Sequence, residues 1–108
     1  MQEKRQNNAD IAFPRSLREA VAWLVYELPL KEKATIANMK SDELEILHLT
    51  LGGYVRENFG LWGKNKSLMD SCRSVCREEN LHPKIASQII LKSLWERLRK
   101  THRLNVVK

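Results

Sequence analysis

The chain has little of what several protein classes require. It has two cysteines and 6% aromatic residues, and no uncharged apolar run approaches the roughly 20 residues of a membrane span. Its first ten residues, MQEKRQNNAD, are polar and charged with no apolar stretch behind them, which is not typical of a secretory signal. Two cysteines without such a signal indicate free thiols in a reducing compartment. We therefore expect a cytoplasmic protein without membrane association.

Patterns of glycine, of alternating polarity and of paired carboxylates are missing as well. Gly52 and Gly53 are adjacent, whereas phosphate-binding loops space their glycines and place them after a strand. No segment alternates apolar and polar residues for long, which argues against a sheet. The acidic residues offer no pair suited to general acid–base chemistry. The sequence thus identifies no catalytic residue and predicts no cofactor.

What the chain does have is the size and composition of one globular domain. With 108 residues, 43% of them apolar and 30% charged, it is large enough to bury a core. Apolar residues recur at helical spacing, so we predict an all-α, compact single-domain bundle of about five helices. Residues 1–14 are predicted to be a flexible polar arm and residues 15–108 the single all-helical domain. The domain ends in a short apolar tail, Leu104–Val107, predicted to dock or to form one short strand.

Capping residues predict where the helices begin and end. Serines followed three residues later by an acidic side chain are typical of capping boxes. Proline ends a helix that precedes it and favours the first position of one that follows. Gly60, with Leu61 as its apolar neighbour, is typical of a left-handed helix end. The predicted elements are a helix from Ser16 (with Glu19) to Pro29, a short helix over Lys31–Asn38, a central helix from Ser41 or Asp42 to Phe59, a helix from Ser67 (with Asp70) to Arg77, and a last helix from Pro83 to Thr101.

The central helix carries polar residues among its leucines. Polar groups on a buried face need partners, so they indicate either architecture or a site. One hypothesis is a small-ligand or enzymatic pocket lined by His48, Tyr54, Arg56 and Asn58. The alternative, which we favour for His48, is a core histidine that donates to a neighbouring carbonyl or hydroxyl. The two glycines predict a close helix–helix approach at Gly52, or at Gly53 on the opposite side, because each costs about 1 kcal/mol in a helix interior.

Cys72 and Cys76 are four residues apart and would share one helix face. Two thiolates could bind one metal, but zinc would still need two further ligands, and the spacing differs from known zinc patterns. A cysteine nucleophile would need a histidine base such as His48 beside it. We favour two small apolar core residues and expect no metal.

Positive charge is concentrated in the C-terminal part of the chain. Residues 61–108 hold 11 basic and 4 acidic side chains, a net charge of +7, and the rest carries −1. A basic stripe could follow a phosphate backbone, although we favour a solvated face interrupted by Glu96. The candidate nucleic-acid-binding residues are Arg73, Arg77, Lys84, Lys92, Arg99, Lys100 and Arg103.

The three tryptophans are predicted to have two different roles. Trp62 and Trp95 stand beside leucines at a helix corner and at helical spacing, so we predict core positions for both. Trp23 lies off the apolar stripe of the first helix. Trp23 and Tyr26 would then form a partner surface, because exposed aromatic pairs tend to anchor interfaces.

From Leu28 to Lys108 the chain resembles a small bacterial family of uncharacterised domains. The shared phrases are LPLKEKATIANM, LHLTLGGYVRENFGLW, HPKIASQII and LWERLRKTHRLNVVK, in this order. The resemblance implies a compact all-helical domain of unknown function, with no activity, cofactor or catalytic residues to carry over. We expect a non-enzymatic interaction or adaptor module whose partner is another protein or a second copy. Nucleic-acid binding through the basic stripe is the alternative.

Overall fold

Residues 13–102 are described by a computed structural model, and within that range the chain forms helices and no strand. The all-α prediction with five helices is confirmed. One turn of 3₁₀-helix, Ser41–Glu43, precedes the third helix. The five helices are α1 (Leu17–Glu27), α2 (Leu30–Ala37), α3 (Leu44–Asn58), α4 (Lys66–Cys76) and α5 (Pro83–Thr101).

The long helix α5 is the centre of the bundle. It packs against each of the other four helices, most extensively against α3. Its inward side chains are almost fully buried, as the periodicity of the sequence predicts: Ala86, Ile90, Leu91, Leu94, Trp95 and Leu98. The molecule is 21 Å thick in its shortest dimension, about two helix diameters. Every helix therefore keeps one side toward solvent, and those sides are where recognition can occur.

The first helix begins as predicted. The Ser16 hydroxyl accepts a hydrogen bond from the Glu19 amide at 3.1 Å, which satisfies one of the free amides of the first turn. The Glu19 carboxylate reaches back to the Arg15 amide rather than to that of Ser16. Before Ser16, Pro14 is buried and Phe13 is half-buried. Both residues belong to the predicted polar arm, yet they pack on the domain, so the folded region includes them.

The end of α3 matches its prediction closely. Gly60 adopts a left-handed conformation with φ +68°, and the Leu61 amide donates to the Arg56 carbonyl at 3.1 Å. This is the long hydrogen bond of a Schellman motif, in which the following apolar residue packs inward. Leu61 is buried accordingly. Glycine is further required at position 60 because a Cβ there would lie 2.9 Å from the Phe13 ring.

The predicted cap of α4 is wrong. The helix begins two residues earlier, and the Asn65 side chain, not that of Ser67, accepts the hydrogen bond from the Leu68 amide. Asn65 is only 7% exposed. Its amide nitrogen donates to the carbonyls of Pro14 and Phe59, each at 2.8 Å. One side chain thus joins the entry of α1, the end of α3 and the start of α4.

The two tryptophans predicted for the core have different outcomes. Trp95 is buried as predicted, and its indole N–H donates to the Met39 carbonyl at 2.9 Å. The prediction for Trp62 is wrong, because its side chain is 55% exposed. In the turn after α3, Leu61 takes the inward position, so the next side chain points outward. Trp62 instead contacts the His82 ring edge to face, with centroids 5.6 Å apart.

Some predictions concern residues outside the described range. These are residues 1–12 of the arm, Arg103 of the basic stripe and the tail Leu104–Val107. Between residues 13 and 102, no helix is long and apolar enough to span a membrane.

The last helix begins at Pro83, as predicted, with the His82 ring nitrogen accepting a hydrogen bond from the Lys84 amide at 2.9 Å.

Candidate interaction surfaces

The residues of the predicted α3 pocket have different partners. Arg56 turns to one side of the helix and donates to the Ser87 hydroxyl of α5 at 3.0 Å. Tyr54 turns to the other side, where its hydroxyl donates to the Glu27 carboxylate of α1 at 3.1 Å. Asn58 is exposed, and its side-chain amide donates a hydrogen bond to the Tyr54 carbonyl of the same helix. Residues two apart on a helix diverge by about 200°, so Tyr54 and Arg56 lie on different sides of α3.

His48 is a half-buried residue of α3. Burial lowers the pKa of His48 below its usual value, and the charge of Glu45 offsets this only in part. The ring is therefore neutral at physiological pH. Within residues 13–102 its Nδ1 atom is buried without a hydrogen-bond partner, so the hydrogen bond predicted for a core histidine is not found at this atom.

The cysteines show two environments on α4. Cys72 is fully buried, and desolvation, with a smaller contribution from Cys76, raises its pKa to about 11. Cys72 is hence a protonated core thiol at neutral pH, as favoured from the sequence. Cys76 is half-buried. Helix α4 packs mainly on α5 and α1, away from His48 on α3. In the described part of the chain, no three His, Cys, Asp or Glu side chains cluster as metal ligands would.

The predicted basic stripe is only partly continuous. Arg73 is bound internally, because it pairs with Asp70 and its Nε atom donates to the Glu79 carbonyl at 3.0 Å. Hydrogen bonding to Lys66, with support from Arg73, lowers the pKa of Asp70. Arg77 ends α4 in a left-handed conformation with φ +60° and is exposed. It therefore lies on a different helix from the remaining cations.

The remaining described cations follow α5. Lys84, Lys92 and Lys100 are exposed. The Arg99 guanidinium lies 4.8 Å from the centre of the Trp95 ring, a cation–π contact that holds it against the bundle. A groove of about 590 Å³ runs here, lined by Trp95, Glu96, Arg99 and Lys100. Glu96 stands between the cations and weakens their combined field.

An aromatic surface forms where α1 meets the end of α3. We call it the aromatic face and define it by Trp23, Tyr26, Glu27 and Tyr54. Tyr26 is 88% exposed and Trp23 39%. The indole of Trp23 is held edge to face on the buried Phe59 ring, with centroids 5.9 Å apart. The Tyr54 hydroxyl is fixed by Glu27. The sequence predicts a surface with Trp23 and Tyr26 but assigns Tyr54 to the candidate pocket of α3. The contact of Tyr54 with Glu27 is not visible in the sequence, because the two residues are 27 positions apart.

A second apolar surface lies on the solvent side of α3. We call it the outer stripe and define it by Ile46, Leu49, Thr50 and Gly53, which succeed one another at helical spacing. Leu49 is 79% exposed and Ile46 52%. A Cβ at Gly53 would meet no atom closer than 4.0 Å. Nothing within the described domain requires glycine there, although it costs about 1 kcal/mol relative to alanine.

Gly52 has a different explanation from Gly53. A Cβ at position 52 would lie 2.9 Å from the Arg56 guanidinium. The space is thus filled by a side chain of the same helix, not by a second helix as the sequence predicts. The guanidinium passes over Gly52 on its way to Ser87. This leaves Gly53 as the glycine without an internal reason.

Fold and surfaces together define the class: a small all-helical domain whose notable features are exposed aromatic and apolar side chains. The chain belongs to the family described as a domain of unknown function, DUF6794, which matches residues 13–98. The match begins at Phe13 and extends into the last turns of α5, so it covers the bundle described above. No curated protein and no solved structure matches the chain.

Proposed function

We propose that this domain is a non-enzymatic interaction module that binds a partner protein through the aromatic face. The observation that carries the proposal is the exposure of Trp23 and Tyr26 beside the fixed ring of Tyr54. Tryptophan and tyrosine are enriched among the residues that dominate binding energy at interfaces. Because the Trp23 ring is held by Phe59 and Tyr54 by Glu27, little conformational entropy is lost when a partner orders them.

The charge around the aromatic face indicates the chemistry of the partner. Glu19, Trp23 and Tyr26 follow one another at four- and three-residue steps, so they lie along one side of α1. Glu27 continues this side, and both glutamates are exposed. A partner segment with apolar anchors and flanking lysine or arginine would complement aromatic rings bordered by carboxylates.

The candidate catalytic groups support a role without chemistry. Cys72 is buried and protonated, with a pKa of about 11, whereas a cysteine nucleophile needs an accessible thiolate. The candidate base, His48, lies on α3, whereas the helix of Cys72, α4, packs mainly on α5 and α1. These two side chains lack the mutual hydrogen-bond geometry that nucleophilic catalysis requires.

Peptide phage display with defined baits tests the proposal. The wild-type domain is the bait, and a Trp23→Ala/Tyr26→Ser variant, checked for folding by circular dichroism, is used for counter-selection. We expect enriched peptides that combine apolar residues with lysine or arginine and lose at least tenfold in affinity for the variant. Val75→Ser is the matched control, because Val75 is exposed on α4, and its binding should be unchanged. Peptides that bind all three proteins equally, or no enrichment, would contradict the proposal.

The second candidate function is nucleic-acid binding along α5. Its support is the row of Lys92, Arg99 and Lys100 beside the Trp95 groove. Phosphate contacts by such cations would give sequence-independent affinity that falls steeply with salt. A gel-shift with mixed DNA and RNA over a salt series tests it, with Lys92→Glu/Lys100→Glu as the variant. Absence of binding at low salt would remove this candidate.

A further inference from the structure

The outer stripe of α3 is apolar, and its two large side chains, Ile46 and Leu49, are more than half exposed. Thr50 does not make it polar, because the Thr50 hydroxyl donates to the Ile46 carbonyl of the same helix at 3.0 Å. Leu49 and Ile46 present their side chains to solvent. Gly53 leaves a gap one turn beyond Leu49, where a Cβ would have room. The stripe therefore consists of a projecting side chain and a depression four residues apart.

We infer that the outer stripe binds the outer stripe of a second copy of this chain, with the two α3 helices antiparallel about a twofold axis. Such an axis pairs residues whose numbers have a constant sum. If the axis crosses between the helices at the level of position 51, Leu49 of each copy faces Gly53 of the other. Each projecting leucine then fills the depression of the opposite helix, and the contact is self-complementary, as a twofold interface requires.

One flank of the stripe carries a pair of charges that complements itself in an antiparallel pair, and this pair favours a second copy as the occupant. The exposed Glu57, four residues after Gly53, has no basic counterpart in this register. Glu45 and Arg56 are eleven residues apart, which places them within about 20° of each other on the same flank of α3. In an antiparallel helix pair each flank meets its own equivalent. Glu45 of one copy therefore approaches the Arg56 guanidinium of the other, which keeps its bond to Ser87. This pair occurs twice, about nearly the same centre as the Leu49–Gly53 contacts. The Arg56 Nη2 atom lies 4.0 Å from the Cβ position of Gly53, so its charge borders the stripe.

Glycine at position 53 has a physical reason in this pair. A glycine lets a second helix approach closely, and any Cβ there would occupy the place of the incoming leucine side chain. The contact involves one helix of each copy, so it falls below the roughly 1,200 Å² of stable interfaces. The pair should accordingly be weak and dependent on concentration. It is independent of the aromatic face, and the function proposed above does not require it.

Sedimentation equilibrium from about 10 μM to 1 mM, combined with thermal unfolding at low concentration, tests the inference. The critical variant is Gly53→Ala. Alanine favours the helix and clashes with nothing inside the domain, so the Tm of the monomer should rise by about 4 °C. The same variant should raise the dimer Kd at least fivefold. A mutation that only perturbed folding could not produce these opposite changes.

Further variants locate the contact. Leu49→Lys should abolish the dimer, and Glu45→Lys should weaken it about tenfold at low salt and less at high salt. Val75→Lys and Tyr26→Ser, both at exposed positions elsewhere, should leave the Kd unchanged. A monomer at every concentration would overturn the inference. So would a dimer that Leu49→Lys and Gly53→Ala leave intact, or one that Tyr26→Ser disrupts.

Discussion

The Asn65 side chain should be the most sensitive polar position in the domain. Replacing it with alanine removes the helix cap of α4, worth about 1 kcal/mol, and two donors to the Pro14 and Phe59 carbonyls. Each bond lost with its acceptor left buried costs about 1 kcal/mol or more. We therefore expect Asn65→Ala to lower the free energy of unfolding by about 3 kcal/mol, a large part of the total for a small domain.

Asn65→Asp separates the two contributions. The carboxylate keeps the acceptor that caps α4 but replaces the donating nitrogen with an oxygen facing two carbonyl oxygens. If those bonds matter, this nearly isosteric variant should be destabilised by about 2 kcal/mol or more at pH 7 despite its intact cap. Urea unfolding followed by circular dichroism measures both variants. Asn58→Ala, at an exposed asparagine that bonds only within its own helix, should change stability by less than about 0.5 kcal/mol. A loss below about 1 kcal/mol for Asn65→Ala, or wild-type stability of Asn65→Asp, would refute this reasoning.

Three further predictions follow from buried groups. Burial lowers the pKa of His48 in the folded state. Its contribution to the free energy of unfolding is therefore full above the unfolded pKa of about 6.5 and is lost as pH falls through the folded pKa. The urea midpoint of wild type should then fall more between pH 7.5 and 5 than that of His48→Gln, and equal falls would contradict the burial of a neutral ring. Cys72, with a pKa of about 11, should react with a disulfide reagent at pH 7.5 only as fast as the domain unfolds. In Cys76→Ser, reaction of Cys72 within seconds would show that the core is open. Trp95→Phe removes the donor to the Met39 carbonyl and should lower the free energy of unfolding, measured by chemical denaturation, by about 1–2 kcal/mol. Unchanged stability of this variant would show that the hydrogen bond does not stabilise the fold.

Local rules explain which parts of the fold were predictable. The caps at Ser16 and Pro83 and the left-handed Gly60 depend on residues within about four positions, so the sequence contains their cause. The inward side of α5 is equally visible, since helical periodicity alone aligns its leucines. The predicted cap at Ser67 failed because Asn65, two residues earlier, offers a competing acceptor. Its additional bonds to Pro14 and Phe59 favour that choice and cannot be read from the local pattern.

The candidate surfaces divide in the same way. Trp23 and Tyr26 were predicted to be exposed from their angle on one helix, and they are. The sequence groups Tyr54 and Arg56 in one candidate pocket, whereas in the structure Tyr54 bonds to α1 and Arg56 to α5. The sequence predicts Arg73 as a surface cation of the basic stripe, whereas in the structure it pairs with Asp70 and donates to the Glu79 carbonyl.

The sequence by itself determined five helices, most of their ends and the apolar sides that pack together, because those properties arise within a few consecutive residues. Only the tertiary structure decided which polar groups are joined across the bundle, as Asn65 is to a carbonyl 51 residues away. It also decided which apolar side chains remain outside, among them Trp62 and the outer stripe. Helices can be packed in many ways that satisfy the same periodicity, and each way exposes a different surface.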